Sequence, residues 1–139
     1  NNLFKGDKNE HIHMINKYIH SFEIPEIIKN SSFLILPYTK DFQHSVSGVI
    51  PLAYTFSKPV IVSDLEPFAE YVVNGKTGLI FQPSDSVQLA NCIIELTKNK
   101  DLCSIMGDNA NQKLMKEMSL QTCSRMINTL YHNFEDSEH

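Results

Sequence analysis

Two short apolar runs constrain the fold of this chain more than any other feature. Phe33 to Tyr38 reads FLILPY and Pro59 to Ser63 reads PVIVS, and neither run contains a charged residue. A strand that is apolar on both faces must be covered on both sides, which is typical of a parallel sheet flanked by helices. A third run, LIF at Leu79 to Phe81, follows the turn sequence NGKTG. The three runs predict three strands of an α/β protein.

Helical patterns lie between and around these strands. The segment EIPEIIKNS is predicted to be a short helix, with Pro25 at its start and with Ile27 and Ile28 facing inward. A second helix is predicted to begin at Ser47 or its neighbour and to run to about Ser57. The apolar face of this second helix comprises Val49, Ile50, Leu52, Ala53 and Phe56. Strands alternating with helices predict right-handed βαβ units and a parallel sheet.

The amino-terminal region continues this alternation. NNLFKGD reads as the end of a strand that stops at Gly6. In the following KNEHIHMINKYI, the apolar residues Ile12, Ile15 and Ile19 recur at helical spacing. A short strand is then expected near Tyr18 to Phe22.

The region after PVIVS is predicted to be mainly helical. Ser63 and Glu66 have the spacing of a capping box for a short helix that runs to about Val73. From Asp85 onward the pattern predicts three helices, the second of them broken near Gly107. Their sequences are VQLANCIIELTKN, DLCSIMGDNANQKLMKEM and SLQTCSRMINTLYHNF.

Composition excludes several classes of protein. A net charge of -4 over 139 residues argues against nucleic acid as the main partner. Arg125 is the single arginine, so a clamp of several guanidinium groups around phosphate is not available within this chain. The three cysteines, Cys92, Cys103 and Cys123, lie in helical sequence and read as reduced core residues. We expect no membrane span and no metal site.

The stretch HSVSG, His44 to Gly48, precedes the helical pattern after FLILPY. In open α/β sheets, ligands bind outside the carboxyl ends of the strands, which is where this loop is expected. A helix start there offers backbone N–H groups, and a glycine lets a ligand approach them closely. The stretch therefore predicts a phosphate or diphosphate site. Its expected binding residues are Ser45, Val46, Ser47, Gly48 and Val49. The alternative is that serine and glycine only cap a buried helix.

The chain as a whole resembles the nucleotide-binding C-terminal domain of GT-B glycosyltransferases of the large retaining "group 1" family. The resemblance rests on the order and spacing of several pieces and covers roughly Gly6 to Phe134. The pieces are Leu36-Pro37-Tyr38, Ser47-Gly48, Ser57-Lys58-Pro59-Val60-Ile61, Glu70, Gly75-Lys76-Thr77-Gly78 and Pro83-Ser84-Asp85. The resemblance implies a partial Rossmann-like nucleotide-sugar-binding domain over residues 1–134, with a helical C-terminal segment and a disordered tail at 135–139.

The family's activity follows from the resemblance as an expectation. Its members bind a nucleotide-diphosphate sugar and transfer the sugar to an acceptor with retention of anomeric configuration. We expect a UDP- or GDP-linked donor, no cofactor, and a hexosyltransferase-type parent protein in polysaccharide or glycolipid synthesis. The parent is expected to be cytoplasmic, with peripheral association at the inner face of the membrane. The diphosphate is the leaving group, so the chemistry needs positive potential that is fixed in place before the bond breaks.

This chain departs from the family pattern at the expected sugar and ribose contacts. Many members carry two glutamates around this helix, and alignment on Pro59-Val60-Ile61 places His44 and Leu52 at those positions. A subset of the family instead has a Ser-Gln-Ser-Gly-Val type sequence, which Ser45 to Val49 resembles most. His44 is the candidate catalytic residue, and the alternative is a solvated loop histidine.

The resemblance begins at about the second strand of the family's domain. The first strand and its helix, which bring a basic pair to the diphosphate, and the acceptor-binding N-terminal domain are both expected to lie outside this chain. We therefore expect a fragment of a glycosyltransferase or a degenerate relative, inactive alone. The sheet is expected to be completed either by the segment near Leu3 or by another chain.

Two further residues match positions that contact the ligand in the family. Phe22 lies where the family often places the base against a loop, and the alternative is a core aromatic. Glu70 matches the glutamate of the family's Pro-Glu pair, and the alternative is a solvated carboxylate. For the chain itself, the alternative function is a non-catalytic α/β interaction module that has lost donor binding.

Overall fold

A computed structural model describes residues 13, 15–20, 22–41 and 48–117 of the chain. Helices and strands alternate along this part of the sequence, as the apolar runs predict. The elements are α1 (Ile24–Lys29), β1 (Leu34–Leu36), α2 (Val49–Thr55), β2 (Val60–Ser63), α3 (Glu66–Ala69), β3 (Gly78–Phe81), α4 (Ser86–Lys98) and α5 (Lys100–Glu117). The predicted α/β class is confirmed.

The three strands form one parallel sheet in the order β1-β2-β3. β2 is the middle strand, and Val60 pairs with Leu34 on one side and with Gly78 on the other. Every residue of β2 is buried. The prediction that PVIVS is a strand covered on both faces is therefore confirmed.

β1 differs from this expectation because it lies at the edge of the described sheet. Its residues are half-buried, exposed and buried in turn, and Ile35 is 37% exposed. The prediction that FLILPY is buried on both faces is therefore wrong at Ile35. Among the described residues, β2 is the only strand that pairs with β1.

The core lies on both faces of the sheet. Val60 and Val62 of β2 belong to one buried cluster, which includes residues of α2, α3 and α5. Ile61 points to the other face, where it packs with Leu79, Leu96 and other apolar residues of β3, α4 and α5. The alternation of one strand between two cores explains why its sequence has no polar face.

Two glycines allow backbones to approach closely. A Cβ at Gly78 would lie 2.2 Å from the carbonyl oxygen of Val60, across the β2–β3 pair. A Cβ at Gly107 would lie 2.0 Å from the carbonyl oxygen of Ser57. The predicted break near Gly107 is wrong, because α5 is continuous and this glycine seats it on the turn between α2 and β2.

The segment before α1 also differs from the prediction. Residues 15–20 form neither helix nor strand, so the helix expected around Ile15 and Ile19 and the strand expected from Tyr18 are absent from them. Glu23 accounts for the local conformation: its carboxylate accepts from Lys17 Nζ at 2.7 Å and from the His20 backbone N–H at 3.0 Å. Such local bonds compete with helical ones.

Several predictions fall outside the described residues. They concern the strand ending at Gly6, the third carboxyl-terminal helix, the tail at 135–139, and the loop residues before Gly48. Within the described part, Cys92 and Cys103 are free thiols. No described helix is both long and apolar enough to cross a bilayer.

Candidate functional site

The loops that follow the three strands are joined by hydrogen bonds at the carboxyl-end edge of the sheet. Ser63 Oγ donates to the Tyr38 carbonyl at 2.6 Å. The Asp64 N–H donates to the Phe81 carbonyl at 2.7 Å, and Gln82 Nε2 donates to Asp64 Oδ2 at 2.8 Å. These five residues form the strand-end rim, which fixes the loops around the place where ligands bind in α/β sheets.

The rim also explains why the predicted capping box is absent. α3 begins after Leu65, which makes no side-chain cap, and the Ser63 hydroxyl is used by the Tyr38 carbonyl instead. The ring of Tyr38 stacks on that of Phe68, with centroids 5.5 Å apart and an interplanar angle of 18°. α3 is thus held against the loop after β1 by packing rather than by a cap.

Gly48 lies at the start of α2, on the chain that leaves β1. It is exposed, its φ of -57° is open to any residue, and a Cβ built there has no heavy atom within 4 Å. Neither backbone conformation nor packing in the described residues requires glycine at this position. Among the described residues, none occupies the space beside Gly48 at the start of α2.

The remaining predicted residues of this loop are only partly described. Val49 is the first residue of α2 and is half-buried. His44, Ser45, Val46 and Ser47 lie outside the described residues, so their roles stay predictions. The structure therefore brings Gly48 and Val49 together at the helix start and leaves the rest of HSVSG untested.

Phe22 is a surface residue and not a core aromatic. Its side chain is 78% exposed, and its ring stacks on His20 with centroids 5.3 Å apart and an interplanar angle of 7°. His20 in turn meets Tyr18 edge to face at 5.2 Å. The interpretation of Phe22 as a core residue is therefore wrong, and a flat aromatic surface faces solvent before α1.

Glu70 directly follows α3 and is exposed. Within the described part of the chain, its carboxylate takes part in no ion pair. Its location after α3 places it in the segment that leaves the strand-end rim. Exposure without an ion pair is compatible with a ligand contact and with a solvated carboxylate, so ligand binding by Glu70 stays a prediction.

The turn Gly75-Lys76-Thr77-Gly78 has a structural role at three of its four positions. Gly75 has a φ of +76°, which favours glycine, and Gly78 allows the close approach to Val60. Thr77 is 4% exposed, and its Oγ1 accepts from the Val73 N–H at 2.9 Å. The motif is therefore explained by the fold without a ligand.

Sequence reasoning missed Tyr54, which organises this region from α2. Its hydroxyl donates to the Tyr71 carbonyl at 3.1 Å and shares a hydrogen bond of 2.9 Å with the Thr77 hydroxyl. Burial raises the pKa of Tyr54 to about 12, against the opposing effect of the Thr77 bond. The available signal was a tyrosine among apolar helix residues, because a buried phenol needs a partner.

Comparisons with known proteins identify a family and several relatives. Residues 5–113 match the family described as glycosyl transferases group 1. The uncharacterized glycosyltransferase MJ1178 of Methanocaldococcus jannaschii is 26% identical over 114 residues, which are 82% of this chain and 31% of that protein. Among solved structures, sucrose-phosphate synthase from Thermosynechococcus elongatus has a TM-score of 0.67 at 20% identity. That match covers 75% of this chain and 26% of the synthase.

Anabaena HepE is a second structural neighbour. Its complex with UDP has a TM-score of 0.73 at 21% identity and covers 80% of this chain and 30% of HepE. Its complex with UDP-glucose has a TM-score of 0.71. This chain thus spans a third or less of the length of each of these relatives, and the structural matches confirm its Rossmann-like GT-B fold. By the match over residues 5–113, the chain belongs to the glycosyl transferases group 1.

Proposed function

We propose that this chain is the donor-binding part of a glycosyltransferase and that the donor's diphosphate binds at the start of α2. The observation that carries the proposal is that no described residue lies within 4 Å of the Cβ position of Gly48, where α2 begins beyond the carboxyl end of β1. A diphosphate there can approach the backbone without meeting a side chain at this position. Membership of the family gives the site its expected ligand.

The surrounding loops support this placement. The strand-end rim ties the loop after β1 to those after β2 and β3, so these loops are joined to one another before a ligand arrives. Preorganised donors are most effective when they do not have to move as charge develops on the leaving group. Ser45, Ser47 and the backbone at Gly48 and Val49 are the proposed donors to the diphosphate.

A UDP-linked sugar is the first candidate donor. HepE was solved with UDP and with UDP-glucose, and it shares the fold of this chain. The exposed ring of Phe22 is the proposed contact for the base, because a flat aromatic surface stacks on a heterocycle. Val46 is proposed to contact the diphosphate with the rest of HSVSG, and Glu70 is proposed to contact the donor. A GDP-linked sugar is the alternative donor.

The remaining proposals concern the reaction and the partners of the parent glycosyltransferase. We propose retaining transfer in polysaccharide or glycolipid synthesis, with His44 near the transferred sugar. Further parts of the parent are proposed to bind the acceptor, to supply basic groups and to associate with the inner face of the membrane. The anomeric configuration of the product made by the parent, measured by NMR, tests retention.

Donor binding is tested by calorimetric titration of the 139-residue chain with UDP, GDP and ADP. We expect saturable binding of UDP. Gly48→Trp should weaken binding at least tenfold, which is about 1.4 kcal/mol, because the indole would fill the space proposed for the diphosphate. The fold should survive, since no residue that the structure describes lies within 4 Å of the Cβ position.

Ala90→Trp is the matched control, because it places the same bulky side chain on an exposed position of α4. It should bind UDP as the unmodified chain does. A folded chain that binds none of the three nucleotides would contradict the proposal and favour the interaction module. Tight binding that Gly48→Trp leaves unchanged would place the nucleotide elsewhere.

A further inference from the structure

A second recess lies at the opposite edge of the sheet, at the amino ends of β1 and β2. It is an open cleft of about 470 Å³ between the segments that enter these strands and the junction of α4 with α5. That volume falls in the usual range of small-molecule sites. We call it the lysine cleft, after Lys58 and Lys100 in its lining.

The described lining of the lysine cleft carries positive charge. Lys58 precedes β2 and Lys100 begins α5, and no Asp or Glu is among the described residues that line the cleft with them. Within the described part of the chain, neither ammonium group takes part in an ion pair. The nearest acid in sequence, Asp101, is exposed in the first turn of α5 and is not part of the lining.

Hydroxyl groups and an apolar floor complete the cleft. Ser32, Ser57, Thr97 and Ser104 contribute hydroxyls. Cys103 is buried at the floor and donates to the Ser32 carbonyl at 3.5 Å. Burial raises the pKa of the Cys103 thiol, whereas the charge of Lys58 acts to lower it.

We propose that the lysine cleft binds a small phosphate-bearing anion. Two lysines with no carboxylate partner among the described residues supply point charges of the kind that bind phosphate, and hydroxyls can donate to the remaining phosphate oxygens. A pair of acidic side chains would have neutralised the same recess, and the described part of its lining contains none. The size of the cleft fits a small molecule rather than a polymer.

The site is separate from the proposed donor site. Ser57 and Lys58 follow the carboxyl end of α2, whereas Gly48 precedes its first residue. The cleft also borders α5, whose Gly107 packs on the Ser57 carbonyl. The proposal does not depend on donor binding, and the two sites can be tested by different variants.

The test is an NMR titration of the ¹⁵N-labelled 139-residue chain with inorganic phosphate, at constant ionic strength maintained with chloride. We expect saturable shifts in the amides of Ser32, Ser57, Lys58 and Thr97 to Ser104. Lys58→Gln and Lys100→Gln should each weaken phosphate binding about tenfold, as expected for loss of one charge-assisted contact.

Lys98→Gln is the matched control, because Lys98 is exposed in the last turn of α4 and does not line the cleft. It should leave phosphate binding unchanged. Equal weakening by Lys98→Gln would reveal a general charge effect and overturn the proposal. Shifts centred on Gly48 to Leu52, or no saturable shifts in the folded chain, would also overturn it.

Discussion

Tyr54 shows how one buried phenol joins three segments of this domain. Its hydroxyl lies between the Tyr71 carbonyl and the Thr77 hydroxyl, and Thr77 also accepts from the Val73 N–H. All side-chain polar atoms buried in the described residues have a partner. An unsatisfied polar atom in such a place would cost about 1–3 kcal/mol, so these bonds maintain the geometry of the loop between α3 and β3.

Tyr54→Phe tests the role of this hydroxyl through pH. The folded-state pKa of about 12 lies above the ordinary value of 10.0, so the hydroxyl stabilises the fold below pH 10 and loses its contribution as pH rises toward 12. The stability advantage of the unmodified chain over Tyr54→Phe should therefore shrink by about 1 kcal/mol between about pH 9 and about pH 11.

Urea unfolding of both proteins across this pH range measures the effect. Comparing the two chains cancels the titration of the other tyrosines and of the lysines. A stability difference that stays constant with pH would show that the phenol ionises alike in the folded and unfolded chains. Tyr18→Phe is the control, because Tyr18 is 79% exposed.

At the scale of elements, α5 is positioned by backbone contact rather than by its apolar face alone. Gly107 places the helix backbone against the Ser57 carbonyl, and Asn111 Nδ2 donates to the Tyr54 carbonyl at 3.0 Å. Both contacts lie near the carboxyl end of α2. A helix seated in this way needs a glycine in its interior, although glycine is otherwise a poor helix former.

Gly107→Ala tests whether the close contact with Ser57 outweighs helix propensity, because the two effects change the free energy of unfolding in opposite directions. Helix propensity alone would stabilise the variant by about 1 kcal/mol. The added Cβ would meet the Ser57 carbonyl oxygen at 2.0 Å, so α5 must shift. We expect the clash to dominate and to lower the free energy of unfolding by about 1–3 kcal/mol.

Chemical denaturation of Gly107→Ala beside Gln112→Ala checks this prediction. Gln112 is exposed on the same helix, so its substitution should change stability by less than about 0.5 kcal/mol. A Gly107→Ala variant more stable than the unmodified chain would mean that α5 does not approach the α2–β2 turn as closely as described.

At the scale of the whole molecule, the open edge of β1 is the feature that the described residues leave incomplete. The Leu34 N–H donates to the Pro59 carbonyl, and Leu34 pairs with Val60. In a parallel pair, alternate residues bond to the same neighbour, so the N–H and carbonyl of Ile35 face away from β2. A further strand, from the segment near Leu3 or from another chain, is proposed to pair there.

Amide hydrogen exchange tests this proposal directly. If a further strand pairs with β1, the Ile35 N–H should be protected about as well as the Leu34 N–H, which is bonded to β2. If the sheet has only the three described strands, the Ile35 N–H should exchange at least about tenfold faster than the Leu34 N–H. Equal protection of both amides would demonstrate a further strand at the edge. Protection that increases with protein concentration would assign that strand to another chain, and protection independent of concentration would assign it to this one.

The sequence by itself determined the α/β class, the strand at PVIVS and the family. PVIVS is apolar on both faces, so only a position inside a covered parallel sheet can bury it, and β2 occupies that position. The helical stretch expected from Asp85 is confirmed, and Asp85 caps α4 because its side chain accepts from the Gln88 N–H at 2.9 Å. These features depend on local pattern and local bonds, which can be read along the chain.

Only the tertiary structure decided which residues serve the fold through distant contacts. The sequence predicts a helix break near Gly107, whereas in the structure this glycine packs against the Ser57 carbonyl. The sequence predicts a helix cap at Ser63, whereas in the structure its hydroxyl donates to the Tyr38 carbonyl. Tyr54 and Thr77 are distant in sequence, yet they share one buried hydrogen bond. Close approach and buried hydrogen bonding depend on groups far along the chain, so no local pattern contains them.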